Sequence, residues 1–389
     1  MRGDAQRRSG RSIYLLAAIA ALGSLGTQLL VPLLPVVARD LGTDSGAAQR
    51  LIAIYLVGLA CGQLAAGPLF DRHSRKAVVL GGLGLFGLGS LLAALAASYP
   101  LLLGARLFQA LGAAVGIVGS RVLVSDLFPP DEAVRRQSTL MAFVLISPAL
   151  APALGGALGE AAGWRAIMAA LALAALGSMI WADRSLPRLA PASGPGSRRL
   201  RGDLARLARN RRFLAATLTI AGGSSALYVF LTAAPFLLAA DHGLSPRLAG
   251  LVLMLIALAS IAGTFCVTPL DRSGRALLAG AGLIATGPLL LLLGVAAGWH
   301  SLAAFLVPMS VLGLGAGLCG PAGIARVLRC EPGLEGTSTA LCGALQMTAS
   351  AICAGLFSQF PAAHAPTLGL ALLIPASIAL GAAFAERRC

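Results

Sequence analysis

Arg106 and Gln109 stand three residues apart in an otherwise uncharged stretch, Gly104-Ala105-Arg106-Leu107-Phe108-Gln109-Ala110-Leu111-Gly112. At helical spacing they share one face. A guanidinium in hydrocarbon costs roughly 2.5–3.5 kcal/mol on insertion scales, so it demands a partner or a water-filled cavity. Solute binding would meet that demand, and so would a tie to backbone carbonyls or to Gln28. A second constellation, Gly67-Pro68-Leu69-Phe70-Asp71-Arg72-His73-Ser74-Arg75-Lys76, packs five ionisable side chains between two long apolar runs. Gly67 would let two helices approach closely. Asp71 can accept hydrogen bonds at a neighbouring helix start, or pair with Arg72, Arg75 or a facing arginine. Such contacts would hold one side of a molecule shut and later release it; the plain alternative is a basic anchor with an incidental aspartate. A third stretch, Ser147-Pro148-Ala149-Leu150-Ala151-Pro152-Ala153-Leu154-Gly155-Gly156, removes two backbone donors and then offers two side-chain-free positions. It should bend a helix and seat another against it.

These groups need elements that can carry them through a bilayer. Hydrophobic residues make up 57% of the chain and charged residues only 12%, about half the charged share of a soluble domain. Twelve apolar runs span about 13–37, 48–70, 77–97, 101–124, 138–159, 165–183, 213–239, 247–270, 276–298, 301–324, 337–360 and 366–385. Each approaches the ~20 residues a transmembrane helix requires, and backbone groups in hydrocarbon must be paired within the segment. The first run is longer than a signal-peptide core and reads as a retained helix. With the N-terminus in the cytoplasm, the inner segments hold 25 Arg and Lys and the outer loops four, Arg39, Arg50, Arg165 and Arg247. That asymmetry predicts both termini inside. Trp164, Trp181 and Trp299 fall at predicted helix ends, where indole favours the interface.

Residues 183–212 form the one long hydrophilic stretch, rich in Pro, Gly and Arg. It predicts a linker between an N-terminal six-helix bundle, 1–182, and a C-terminal one, 213–389. Within it, either a short basic amphipathic helix near Asp203–Asn210 lies on the anionic inner leaflet, or a disordered basic tether does. The halves echo one another: Pro68-Leu69-Phe70-Asp71-Arg72 recurs as Pro269-Leu270-Asp271-Arg272, followed by Arg275. Polar stripes at four-residue spacing could line a cavity or bond neighbouring helices: Ser224, Tyr228 and Thr232, then Cys342, Gln346 and Ser350. Gln28 and Tyr55 are further candidates.

The loop G-x-L-x-D-R-x-[GS]-R-[RK] resembles the signature of the major facilitator superfamily, with Ser74 in the second glycine place. Arg106-Leu107-Phe108-Gln109-Ala110 is similar to that family's R-x-x-Q-G helix 4 motif. Pro148, Pro152, Gly155 and Gly156, followed by Gly163-Trp164-Arg165, resemble the antiporter motif in its Bcr/CflA drug-efflux form. The resemblance covers nearly the whole chain. It implies an all-α integral membrane protein of twelve transmembrane helices in two pseudo-symmetric bundles. It also implies secondary export of small amphipathic drugs by alternating access and proton antiport, with Arg106 in coupling or substrate binding. The expected setting is a bacterial inner membrane and the expected state a monomer.

One position departs from the subfamily: Gln28 stands where many relatives carry an aspartate. None of the 15 carboxylates lies deep in a predicted span, and a guanidinium does not release its proton in a useful range. Proton exchange is therefore either absent or moved to a rim carboxylate such as Asp126 or Asp71. A cavity with a buried cation and no anion suits neutral, zwitterionic or anionic solutes. The alternative reading is an exporter or facilitator of an amino acid or sugar, with no embedded carboxylate. Other classes fit less well. The phosphate loop of an ATP-driven pump needs Gly-Lys-Ser/Thr, and the only lysine, Lys76, precedes Ala77. His73, His242, His300 and His364 are scattered, which disfavours an enzyme centre, a metal site or a cofactor. The basic residues fall in alternate gaps and form no nucleic-acid face. A non-transporting sensor or scaffold is disfavoured by the intact motifs.

Overall fold

The computed structural model describes residues 2–187, 196–267, 270, 275–331, 333–360 and 364–388. Among them the secondary structure is helical throughout. The first crossing is broken. Helix α1 (Arg2–Gln28) yields to a 3-10 turn, Val31–Leu33, and resumes as α2 (Leu34–Asp40). Pro32 and Pro35 each sit at the start of a new piece, where a missing N–H costs nothing. Next come α3 (Ser45–Arg72), α4 (Arg75–Ala94) and α5 (Tyr99–Leu127). Asp44 caps α3 by accepting from the Ala47 N–H at 2.6 Å, and Ser74 caps α4 through the Ala77 N–H at 3.4 Å.

Helix α6 (Pro130–Ser185) is 56 residues long and turns at Gly163, whose φ of 83° needs a residue without Cβ. Its two limbs are two crossings. The remaining helices are α7 (Gly196–Arg209), α8 (Arg211–Ala240), α9 (Pro246–Phe265), α10 (Ala276–Ala296), α11 (Leu302–Cys330), α12 (Glu335–Phe357) and α13 (Ala365–Arg388). With α1 and α2 counted together and α6 twice, the twelve apolar runs become twelve crossings. The chain is an all-α multi-pass membrane protein.

Helices α1, α3, α4, α5 and α6 pack among themselves, and so do α8 to α13. Across the two groups the main contacts are α6 with α9 and α3 with α12. The groups repeat a packing device. A methyl on Gly112 of α5 would strike the Gly82 carbonyl and the Phe86 amide of α4; one on Gly315 of α11 would strike the Gly280 carbonyl and the Ile284 amide of α10. The glycines stand at the same place along helices of equal length, 29 residues each. In that register Arg106 corresponds to Met309, Gln109 to Leu312, and Arg121 to Ile324.

Two readings become more definite. Trp164 stands at a helix end, directly after the Gly163 turn, yet is 2% exposed and donates to Asp40 Oδ2 at 2.9 Å, while Trp181 and Trp299 are exposed. The short turn at Gly163 folds Trp164 inward, where its N–H finds a carboxylate. The linker carries a helix, α7, instead of an unstructured tether, and it is docked. Leu207 is buried with Phe213, Val327 and Cys342, and Arg206 pairs with Glu331 at 3.1 Å.

Candidate functional site: a cavity between the two helix groups

A cavity of about 810 Å³ lies where the two groups meet. One group contributes Ser24, Thr27 and Gln28 of α1, Gln63 of α3, a face of α5 (Ile117, Val118, Arg121, Val122, Ser125), and Gln137 and Pro148 of α6. The other contributes Tyr228 of α8, Ile324 and Leu328 of α11, and Thr339, Gly343, Gln346 and Met347 of α12. Ser125, Gln137, Leu328 and Gly336 belong to helix ends on the side of the α3–α4 turn, so the cavity reaches that side.

The far side is closed by backbone contact. A methyl on Gly156 would strike the Pro246 carbonyl, one on Gly250 the Pro152 carbonyl, and one on Gly46 the Ser358 carbonyl. Glu160 Oε2 adds a bond across the groups, accepting from the Arg247 N–H in the first turn of α9 at 3.1 Å. Gly155 instead abuts the Leu29 carbonyl inside its own group. Pro148 lines the cavity and Pro152 joins the seal.

Of the sequence-predicted cavity residues, Gln28, Tyr228 and Gln346 are in the wall, and Ser224 stands behind it, accepting from Gln346 Nε2. Arg106, Gln109 and Tyr55 are not in the wall; they are fully buried. Arg106 Nη1 donates to the Gly26 carbonyl at 2.6 Å and to Gln109 Oε1 at 2.5 Å, and its guanidinium stacks 4.2 Å over the Tyr55 ring. Gln109 Nε2 donates to Ser90 Oγ at 2.8 Å, and Tyr55 OH donates to the Gly23 carbonyl at 2.9 Å. This polar strut joins α1, α3, α4 and α5; it engages Arg106 through Nη1 and the ring, while Nε and Nη2 are buried without a hydrogen-bond partner among the described residues. It holds Gly23 and Gly26 from behind while Gly23, Ser24, Thr27 and Gln28 face the cavity.

The loop residues separate. Arg75 Nε pairs with Asp126 Oδ2 at 2.9 Å and also donates to the Phe70 carbonyl. Lys76 pairs with Asp183 at 2.9 Å. Asp71 and Arg72 are exposed and make no ion pair among the described residues. Gly67 has nothing within 4 Å of a Cβ built on it, so the close approach expected there is not made while the cavity reaches this side. In the second loop Asp271 and Arg272 lie outside the described residues, and Arg275 is exposed.

Sequence reasoning missed Arg121. By topology it reads as one more inner-side charge, whereas it is the one charged side chain among the described residues of the wall. Its signal is the α5 face it shares with Ile117 and Ser125 at four-residue spacing. Among the described residues no carboxylate lines the cavity.

Twelve crossings in two repeated groups, closed on one side of a central cavity and parted on the other, define a membrane transporter for small solutes, not an enzyme. Residues 16–354 match the Major Facilitator Superfamily, and the chain belongs to that family. It is 29% identical to multidrug resistance protein D of Escherichia coli (strain K12) over 370 residues, 95% of this chain and 94% of that one. It is 29% identical to a chloramphenicol resistance protein of Pseudomonas aeruginosa over 338 residues, 85% of this chain and 79% of that one. Among solved structures, a D-xylose-proton symporter superposes with a TM-score of 0.77, covering 96% of each chain at 17% identity. A bacterial homologue of the human lysosomal transporter Spinster, inward-facing and unoccupied, gives 0.75 at 13% identity, covering 98% of this chain and 97% of that one.

Proposed function

We propose that this transporter exports small amphipathic drugs or toxic compounds, neutral or zwitterionic ones favoured, by alternating access and proton antiport. The observation that carries the reading is the cavity: about 810 Å³, mixed apolar and amide-lined, with no carboxylate among its described residues to trap a cation. The drug-resistance names of the relatives support the substrate class. In this reading 1–182 and 213–389 rock as two bundles, the linker 183–212 tethers them, and a monomer suffices. The chain sits in a bacterial inner membrane with both termini inside, as the 25-to-four division of basic residues requires.

Arg106 acts as a positioning residue that fixes α1 behind Thr27 and Gln28. Asp71 and Arg72, with Asp271, Arg272 and Arg275 in the second loop, fasten the inner side when it closes, and the Arg75–Asp126 pair is the lever between α4 and α5. Asp126 or Asp71 exchanges the proton. A second reading, a facilitator of a small metabolite, is favoured by the carboxylate-free wall.

Everted vesicles separate the two. With chloramphenicol as probe, accumulation driven by an imposed pH gradient and abolished by a protonophore is expected. Equilibration indifferent to the gradient would establish the facilitator.

A further inference from the structure

We infer that Arg121 sets the charge preference of the cavity, drawing in amphipathic anions and zwitterions and turning cations away; this rests on reading the cavity as the solute site. The rest of the polar wall is neutral, made of hydroxyls and amides such as Thr27, Gln28, Gln63, Tyr228 and Gln346. Arg121 is the only fixed charge among the described residues of the wall.

No described residue neutralises it. Among the described residues Arg121 has no hydrogen bond and no ion pair, and the carboxylate nearest in its own helix, Asp126, is held by Arg75 at 2.9 Å. Of the other described carboxylates toward this side, Glu132 pairs with Arg136, Asp183 with Lys76, Glu331 with Arg206 and Glu386 with Arg326, while Asp203 lies on α7 and is no part of the wall. Asp71 is exposed at the α3–α4 turn and is no part of the wall. The charge is not demanded by the fold either. At the corresponding place in α11 the wall carries Ile324. One group of helices therefore builds the same surface from an alkyl side chain that the other builds from a guanidinium. A planar fork of donors facing a space of small-molecule size suits a carboxylate, sulfonate or phosphate oxygen pair. At about 6 Å in a partly desolvated cleft, a single charge changes local anion-to-cation preference roughly tenfold or more.

The test places a thiol one helical turn away. Ser125→Cys in the full chain, reconstituted in bilayer discs, is reacted with a sulfonate-bearing and an ammonium-bearing methanethiosulfonate of matched size. Modification is read at residue 125 by peptide mass spectrometry, so the native cysteines do not interfere. A shift in thiolate fraction affects both reagents equally and cancels in the ratio. The sulfonate-to-ammonium rate ratio, relative to free cysteine, is expected to be about tenfold higher with Arg121 than with Arg121→Gln. Arg121→Lys should keep most of the difference, and it keeps the test decisive if the Gln variant misfolds. Equal ratios with Arg121 intact and with Arg121→Gln, or a ratio lost as fully in Arg121→Lys as in Arg121→Gln, would overturn the inference. A parallel arm transports chloramphenicol, its carboxylate-bearing succinate ester and its amine base. No transport of chloramphenicol with an intact reagent ratio would overturn the drug-export reading and leave the charge preference standing.

Discussion

Replacing Arg106 by Met and Gln109 by Leu would rebuild α5 with the residues that occupy the same places in α11, Met309 and Leu312, both fully buried. Each single change damages the strut. Arg106→Met loses the bonds to the Gly26 carbonyl and to Gln109 and the stacking over Tyr55. Interhelical hydrogen bonds in bilayers are worth about 0.6–2 kcal/mol each and a desolvated cation–π contact about 2. One interhelical bond and one cation–π contact give an expected loss of about 2.5–4 kcal/mol, less what is regained by removing two unpartnered buried donors. Gln109→Leu strips a buried cation of one of its two acceptors, a change costing about 1.5–3 kcal/mol for a hydrogen bond to a charged group. The double variant leaves no buried charge and fills the volume with apolar atoms. Its stability should fall within about 2 kcal/mol of the wild type, because whole buried ionic groups can be exchanged for hydrophobic ones at little cost. Thermal unfolding of the four proteins of the cycle measures this, with chloramphenicol export assayed beside it. The double variant is expected to melt above both single variants yet export poorly, since only the Tyr55–Gly23 bond of the strut then ties α1 behind Thr27 and Gln28. If its melting temperature falls as far as the two single losses added, the strut is a folding requirement and the comparison with α11 does not apply.

Gly156→Ala and Gly155→Ala should part company. The methyl of the first strikes Pro246 across the groups, and that of the second strikes Leu29 within one group. Overpacking of about 1–3 kcal/mol at Gly156 shifts the population toward the outward-open form about 5- to 150-fold. Labelling of Gln28→Cys by an impermeant maleimide from outside should rise accordingly; Gly155→Ala should lower the melting temperature without that rise. The Arg75–Asp126 pair, with side chains 9% and 32% exposed, should give a coupling of about 1 kcal/mol in a double-mutant cycle of Arg75→Gln and Asp126→Asn read by thermal unfolding. Additive losses would remove the pair from the mechanism.

The twelve crossings were legible because bilayer length and backbone pairing act on every residue of a span, so a run of apolar residues is enough to find one. The split of α6 was legible too, since Gly163 interrupts two apolar runs. Facing was not. Whether a polar residue enters the cavity or a helix interface depends on how each helix is rotated against four or five neighbours, and a stripe at four-residue spacing reads the same either way. Gln28, Tyr228 and Gln346 met the cavity while Tyr55 turned to the Gly23 carbonyl. Arg106 drew attention as a charge in mid-span and was turned into a helix interface, held through Nη1 and the Tyr55 ring. Arg121, closer to the helix end, read as a topological charge until the second group supplied the opposite wall. Gly67 illustrates a further limit: a glycine keeps open the option of close contact, and one conformational state need not use it.

The two closures of the cavity are built from different physics, and that difference bears on which state is favoured. The closed side rests on glycine-to-carbonyl contacts at Gly46, Gly156 and Gly250 and on Glu160 capping α9. These are short-range, depend on shape, and vanish together once the helices part by an ångström or two. The parted side carries charge instead, and its ion pairs Arg75–Asp126, Lys76–Asp183 and Arg326–Glu386 each stay within one helix group. In the alternating-access reading, closing that side draws together rims that carry exposed Arg72 and Asp71 on one group and exposed Arg275 and Arg329 on the other. Like charges at such a seam cost more as water leaves it. In the alternating-access reading these cations favour the open arrangement of this side, and closing it calls for compensating negative charge between the rims. Salt screens that repulsion over about 8–10 Å at physiological strength, while an acidic solute bound beside Arg121 would offset it directly. Substrate charge and the direction of the conformational step are in this way one electrostatic question.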